Sequence, residues 1–377
     1  MASAPNLRRA RLFVRQRNRV GLTRAWNSLP RIIRMTIAAI GAYWIADSLL
    51  GHTQPIFAAT SALVASGFGT ATTMRKVLEV AVGCTLGVAM GDFLMHWWGQ
   101  GLWQAAAVMS LSLLVARYLN SGPIFSTQLG MQSALVVLLP ISVDGPFARS
   151  LDAVVGVTLA ILLMILLPSD SRRTPIAALS ELLREMAEVL LECSWAVRDD
   201  DHRSAFHALV KARGTQRHVD KLPAAFSAAL EVATFAPTQR RHRQEIRQLS
   251  ERSDHFDLAA RNLRVVVRRL AAVLSQSALS AEGAEQITAL LRELSEAVGT
   301  LAHSVREPTV AGQHKYERLA RHQLQDCAAK LDPHQMGIEG LQGEGLVLLL
   351  RPMVVDLLKA AGADTEEATS ALPPLHR

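Results

Sequence analysis

Apolar residues fall into six stretches in the first half of the chain, and each stretch approaches the length that crosses a bilayer. The stretches cover residues 32–50, 54–71, 77–98, 102–119, 124–143 and 151–167. About twenty residues at about 1.5 Å per residue cross a hydrocarbon core of roughly 30 Å. Thr, Ser and Gln dilute the second and fifth stretches. We therefore predict an all-α protein with a six-helix transmembrane domain over residues 32–168.

Small residues recur every four positions in two of these stretches. They are Gly83, Gly87 and Gly91 in the third stretch and Ala38, Ala42 and Ala46 in the first. Helices in lipid associate by close packing, because the hydrophobic effect does not distinguish a neighbouring helix from a lipid tail. We therefore predict that both faces pack against other helices, with the three glycines as helix-packing residues.

After Pro168 the pattern becomes that of amphipathic helices. Two sets of apolar residues recur at spacings of three and four, which is the period of a helix face. They are Leu179, Leu182, Leu183, Met186, Val189 and Leu190, and then Ile287, Leu290, Leu291, Leu294, Val298 and Leu301. Each face needs a helical partner. We predict a cytoplasmic helical domain over residues 169–361, which serves as dimer contact or gate.

Prolines and composition divide this second region further. The predicted breaks are Pro223, Pro237 and Pro308. Residues 239–275 are predicted to form one long helix. Residues 345–358 are the most apolar later segment, but they are too short to span a membrane and contain Arg351 and Pro352. We predict that they form a core helix of the soluble part, and that the tail, residues 362–377, is disordered.

The net basic charge lies entirely in the first half. Residues 1–168 contain 13 Lys and Arg against 5 Asp and Glu, a balance of +8, whereas the remainder has 27 against 28, a balance of −1. Residues 1–31 contain arginines and no acid, and we expect them to be a basic cytoplasmic arm. The alternatives for this arm are an amphipathic helix lying on lipid and a nucleic-acid-binding segment; we favour the first and expect no nucleic acid partner.

The charges between the stretches set the orientation. Basic residues mark the ends of the second, fourth and sixth stretches: Arg75 and Lys76 follow the second, Arg117 ends the fourth, and Arg172 and Arg173 follow the sixth. The turns after the first and third stretches contain no Lys or Arg. Because cytoplasmic loops carry the excess of Lys and Arg, this alternation predicts a multi-pass inner-membrane protein with both termini in the cytoplasm.

The chain shows no sign of enzymatic chemistry. It has no G-x-x-x-x-G-K-[ST] loop, no dinucleotide fingerprint, no H-E-x-x-H and no G-x-S-x-G. Its three cysteines, Cys84, Cys193 and Cys327, lack the spacing of a zinc site or a disulfide framework. We expect no catalysis, no cofactor and no metal. If the chain is a transporter, the absence of an ATP-binding loop means that it would use an ion gradient or move its substrate down a concentration gradient.

Carboxylates inside apolar stretches are costly and are therefore functional candidates. Asp47 and Asp92 lie near the outer ends of the first and third stretches, and Glu79 lies near the inner end of the third. We consider these three as proton-coupling residues. The alternatives are exposure to headgroup water for the aspartates and a simple helix-face pair between Glu79 and Arg75, which are four residues apart.

The predicted topology places three arginines at the inner mouth. Arg34 opens the first stretch, Arg75 precedes the third, and Arg117 ends the fourth. A guanidinium there would attract an anion and can bind a carboxylate through two hydrogen bonds. We consider them candidate substrate-binding residues, although each also serves as an orientation signal.

Three segments together resemble a known family. They are Arg31-Ile-Ile-Arg34-Met-Thr-Ile-Ala-Ala, Pro55-Ile-Phe-Ala-Ala-Thr60, and Arg75 followed by Gly83-Cys-Thr85-Leu-Gly87. The pattern resembles the fusaric acid resistance and aromatic acid exporter superfamily over residues 31–184. The resemblance implies a six-helix membrane unit, a helical cytoplasmic region, and export of small organic anions such as aromatic carboxylic acids. Larger members carry two such units, so we expect this chain to form a homodimer.

Two other functions stay open. Plant anion channels of the aluminium-activated malate type have a similar layout, so a channel is the transport alternative. A membrane-anchored scaffold, whose cytoplasmic helices bind a partner, is the alternative outside transport. The sequence does not identify the substrate, the coupling ion or the direction of transport.

Overall fold

The computed structural model describes residues 4–67, 74–119, 122–140, 144–145, 147–166, 170–276 and 279–375. Across these residues the fold is all-α, with no strand, which confirms the predicted class. Contacts between backbone positions divide the chain into two compact units. The first unit contains residues 1–170 and 231–240, and the second contains residues 171–230 and 241–377.

Six helices make up most of the first unit. They are α1 (Ala4–Ser48), α2 (Ile56–Ser66), α3 (Met74–Trp98), α4 (Leu102–Leu119), α5 (Pro123–Leu138) and α6 (Ala148–Leu166). Helix α3 packs along α5, which also contacts α4, whereas α2 packs along α6 and α1 lies against both. The alanine face of α1 is fully buried against Ala58 and Ala62 of α2.

Three of the six predicted spans are helices of spanning length and composition within the described residues. They are Val77–Trp98, Leu102–Leu119 and Ala148–Leu166. The other three predicted spans differ from the prediction in different ways. The first is the end of the 45-residue helix α1, which also includes the basic arm, so arm and span are one helix. The second and fifth are apolar but short, with 11 residues in α2 and 16 in α5.

Local sequence explains why α2 and α5 are short. Pro55 precedes the first residue of α2, and Gly67 ends the helix with a φ of 54°, in the left-handed region that favours glycine. Helix α5 begins at Pro123 and is followed by Pro140, which lacks the backbone N–H that would continue a helix. Residues 68–71 and 141–143, which the prediction placed inside these spans, lie outside the described residues.

The second unit is built from the later helices. They are α7 (Arg173–Arg198), α8 (His202–Gly214), α9 (Gln216–Val219), α10 (Leu222–Phe235), α11 (Arg243–Ser275), α12 (Ala281–Arg306), α13 (Val310–Ala329), α14 (Leu341–Ala360) and α15 (Thr365–Ser370). The last five residues of α10 are grouped with the first unit. The two predicted apolar faces lie on α7 and α12, and these helices pack along each other. The Ser295 hydroxyl adds a hydrogen bond of 2.7 Å to the carbonyl of Ala187.

Two of the three predicted breaks separate helices, and the tail differs from the prediction. Pro237 begins a 3-10 turn before α11, and Pro308 lies between α12 and α13, whereas Pro223 lies in the first turn of α10, where proline is tolerated. The structure places residues 365–370, predicted to be disordered, in α15. Asp364 caps this helix, and Ala368 is fully buried. The cap, the buried alanine and a hydrogen bond of 3.0 Å from Nε2 of Gln325 to Glu367 hold this short helix in place.

Candidate functional site

The glycine face of α3 lies directly on the backbone of α5. A Cβ atom on Gly87 would come within 2.6 Å of the carbonyl oxygen of Leu129, and one on Gly91 within 2.8 Å of that of Ser133. Gly83 is also close, with 3.1 Å to the carbonyl oxygen of Phe125. All three residues thus serve a contact within the chain, and both helices run in the same direction along it.

An equivalent contact joins α6 to α2. A Cβ atom on Gly156 would overlap the carbonyl oxygen of Ala58 and the hydroxyl of Ser61. That hydroxyl donates a hydrogen bond of 3.1 Å to the carbonyl of Ala153 on α6. The two short helices are therefore each held by a helix that approaches them at glycine.

The start of α6 carries the most buried cation of the first unit's described residues. Arg149 is 8% exposed and donates a hydrogen bond of 2.9 Å to the carbonyl oxygen of Val136. It also hydrogen-bonds the carbonyl oxygen of Pro140, and its guanidinium lies 5.8 Å from the centre of the Phe57 ring. The guanidinium thus caps the carboxyl end of α5, where carbonyls have no helical partner.

Two polar contacts next to Arg149 tie the α1–α2 turn to the start of α6. His52 Nδ1 lies 2.7 Å from Oδ1 of Asp152, which is 4% exposed. The backbone N–H and hydroxyl of Thr53 donate to the carboxylate of Asp144 at 2.9–3.0 Å. The buried carboxylate thus faces a side chain whose charge depends on protonation.

Asp92 on α3 joins the same group of residues. The hydroxyl of Ser150 donates to its Oδ2 at 3.3 Å, and the positive charge of Arg149 acts on the carboxylate. Asp92, Arg149, Ser150, Asp152 and His52 therefore form one polar cluster, which we call the α6-start cluster. The predicted topology puts this cluster at the outer end of the helices.

The other predicted site residues lie elsewhere. Glu79 is partly buried in the second turn of α3, about 20 Å along the helix from Asp92. Arg34 is partly buried on α1, and Arg117 is exposed in the last turn of α4. Asp47 is exposed in the last turn of α1. The side chain of Arg75 lies outside the described residues, so the structure does not show whether the three arginines meet.

Sequence analysis did not identify the members of the α6-start cluster other than Asp92 as site residues. Arg149 and Asp152 open an apolar stretch, and His52 lies in a turn without Lys or Arg. An ionisable residue at each of these positions was a usable signal. Their proximity was not, because residues 52, 92 and 149 meet only through helix packing.

A second polar group lies between α3 and α5. Nε2 of Gln132 lies 3.7 Å from Sγ of Cys84, and the thiol lies 3.7 Å from Oε1 of Gln128. Oε1 of Gln132 is buried and has no hydrogen-bond partner among the described residues. Within those residues, no three His, Cys, Asp or Glu side chains are grouped to hold a metal ion.

Comparison with known proteins places this helix unit in a family context. Residues 39–163 match the family described as Fusaric acid resistance protein-like. An uncharacterized protein of Corynebacterium glutamicum is 29% identical over 367 residues, which are 95% of this chain and 91% of that protein. Proteins of Mycobacterium tuberculosis and Mycobacterium bovis, each named "Putative arylamide transporter", are 25% identical over 289 residues, 75% of this chain and 79% of theirs. The family match confirms the resemblance found in the sequence.

Proposed function

Starting from this resemblance to the fusaric acid resistance protein-like family, we propose that the protein is a multi-pass inner-membrane transporter that exports small organic anions, aromatic carboxylates in particular. The family match and the relatives named as arylamide transporters support a membrane transporter. An aromatic ring is common to arylamides and aromatic carboxylates. The anionic group is proposed from the charges of the chain.

The buried guanidinium of Arg149 beside the ring of Phe57 is the observation that carries this proposal. A charge held inside an apolar helix unit is costly, so a buried ionisable residue there is a functional candidate by default. A guanidinium binds carboxylate through two charge-assisted hydrogen bonds, and an adjacent aromatic ring offers a surface for a second ring. The pair thus matches both parts of an aromatic carboxylate.

Asp92 is our candidate for coupling transport to protons. It lies next to Arg149 and accepts a hydrogen bond from Ser150, so a change in its protonation would alter the charge that the substrate meets. Glu79 and Asp47 remain coupling candidates, and Arg34, Arg75 and Arg117 remain candidates for loading the anion at the inner mouth. A homodimer with both termini in the cytoplasm is part of the proposal.

Flux in reconstituted vesicles tests the function. We expect radiolabelled benzoate to accumulate against its gradient when a proton gradient is imposed. Asp92→Asn should abolish this accumulation but keep exchange of benzoate across the membrane, because exchange needs no net proton movement. Ser110→Ala, at an exposed position of α4, is the matched control.

The alternatives give different results in the same vesicles. Large passive current without accumulation would favour the anion channel. No flux of benzoate, in either direction and with either gradient, would contradict transport of aromatic carboxylates and would favour the scaffold.

A further inference from the structure

The first unit contains an internal repeat that the family match does not describe. Residues 76–86 read KVLEVAVGCTL, and residues 149–159 read RSLDAVVGVTL. Five of the eleven positions are identical, and the first and fourth keep their charge. A second match precedes each segment, because Pro-Ile-Phe occurs at residues 55–57 and again at residues 123–125. Helices α1–α3 and α4–α6 are therefore equivalent in order.

The two halves run in opposite directions. Ser150, at the start of α6, contacts Asp92 in the later part of α3. Val80, in the early part of α3, belongs to the same apolar cluster as Ala160 in the later part of α6. The equivalent helices α3 and α6 are thus antiparallel. Inverted repeats of this kind are a recurring plan of secondary transporters.

The packing follows the repeat. Gly83 of α3 lies on the first turn of α5 at Phe125, and its equivalent, Gly156 of α6, lies on the first turn of α2 at Ala58, the residue after Phe57. The third helix of each half therefore packs against the first two helices of the other half. The result is two bundles, one of α1, α2 and α6 and the other of α3, α4 and α5.

The two bundles meet mainly where α3 crosses α6, which we call the seam. Cys84 and Val157 are equivalent positions of the repeat and lie in one apolar cluster, so the approximate two-fold axis passes near them. At the α6 start, side chains cross the seam. Arg149 donates to carbonyls at the end of α5, and Ser150 donates to Asp92.

We propose that the bundles move as two bodies about this seam and that Arg149, Ser150 and Asp92 form its outer gate. The proposal rests on the proposed function, since it assigns the exit of the anion. When the gate opens, Arg149 loses its backbone carbonyls, and a carboxylate of the substrate replaces them. Charge-assisted hydrogen bonds to a carboxylate are stronger than those to neutral carbonyls, so an anion favours the open gate.

A metal bridge across the gate tests this proposal. Asp92→Cys with Ser150→Cys places two thiols where side-chain atoms now lie 3.3 Å apart, on different bundles. The pair lacks the Asp92 carboxylate, so the measurement is benzoate exchange. Cd²⁺ should bridge the thiols and lower benzoate exchange at least about tenfold, because closure of a gate limits turnover, and a chelator should restore it. Thr53→Cys with Asp144→Cys is the matched control. Its atoms are equally close, but both residues lie on the side of α1, α2 and α6.

The outcomes separate the gate from the transport function. Cd²⁺ inhibition of the gate pair but not of the control supports the gate. Unchanged flux with a formed bridge, shown by protection of the thiols from maleimide, overturns it, as does equal inhibition of both pairs. If the wild type moves no benzoate, the proposed function fails on its own. The gate pair of cysteines then tests the gate through labelling alone: a gate that opens lets an impermeant maleimide label both thiols in the absence of Cd²⁺, and thiols that stay unlabelled overturn it.

Discussion

Three ionisable side chains that are partly or fully buried in this protein each contact a specific polar partner. Arg149 is held by backbone carbonyls, Asp152 by His52, and Asp356 of the second unit by Asn262, whose Nδ2 donates to it at 2.7 Å. The partners matter because an unpaired buried charge costs several kcal/mol or moves its pKa until it is neutral. The first two pairs lie in the candidate site, whereas Asp356 offers a test of burial alone.

Asp356→Asn should make stability less dependent on pH: as the pH rises from acid to neutral, the variant should lose less stability than the wild type. Burial raises the pKa of Asp356 above its ordinary 3.8, against the opposing effects of Asn262, His255 and Lys359. The folded state therefore holds this proton more tightly than the unfolded state, so stability falls as the pH rises from about 4 through the folded pKa. Thermal unfolding at several pH values would show it. A pH profile identical to that of the wild type would contradict the assignment, and Asp326→Asn, at an exposed site, is the control.

At the scale of the elements, the packing of the short helices in the first unit depends on the helices that contact them. The two short helices, α2 and α5, begin at the repeated Pro-Ile-Phe and are each covered by a helix that carries glycine at the contact. Close backbone approach gives many van der Waals contacts, which is the main attraction between helices in lipid. The small residues read from the sequence therefore hold together the interior of one chain.

Gly87→Leu should disrupt this interior. Even its Cβ atom would come within 2.6 Å of a backbone oxygen of α5, and backbone cannot move aside as a flexible side chain can. Overpacking of this kind costs about 1–3 kcal/mol, and we expect the upper part of that range. The yield of monodisperse protein in detergent and its melting temperature measure the effect. Val82→Leu, on the exposed side of the same helix, should match the wild type; equal behaviour of both variants would refute the packing role.

At the scale of the whole molecule, two properties can be predicted: the orientation of the chain in the membrane and its assembly. The excess of basic residues in the first unit predicts orientation, because positively charged loops stay in the cytoplasm. Reporter fusions after Leu50, Trp98 and Val143 should read outside, and fusions after Ala71, Leu119 and Pro168 should read inside. One reversed pair of neighbouring fusions would break the six-span topology.

We also predict that the protein is a dimer, since larger members of the superfamily that the chain resembles carry two six-helix units. Light scattering in detergent, or subunit counting in liposomes, would give the stoichiometry. The glycine face of α3 and the apolar faces of α7 and α12 are already used within the chain. The dimer contact must therefore use other surfaces, and Gly87→Leu should not act by separating subunits. A monomer that retains flux would rule out the dimer as the functional state.

The sequence by itself determined the helical class, the apolar helices and the amphipathic faces of α7 and α12. These features follow from composition and from a periodicity of three to four residues, which are local properties of the chain. It also contained the small-residue faces and the carboxylate of Asp92. Only the tertiary structure decided that α3 packs on α5, that α6 packs on α2, and that Arg149 lies beside the Phe57 ring and acts on the charge of Asp92. Those contacts join residues about 40 to 100 positions apart, and the lengths and directions of several helices must be fixed before any such pair can meet.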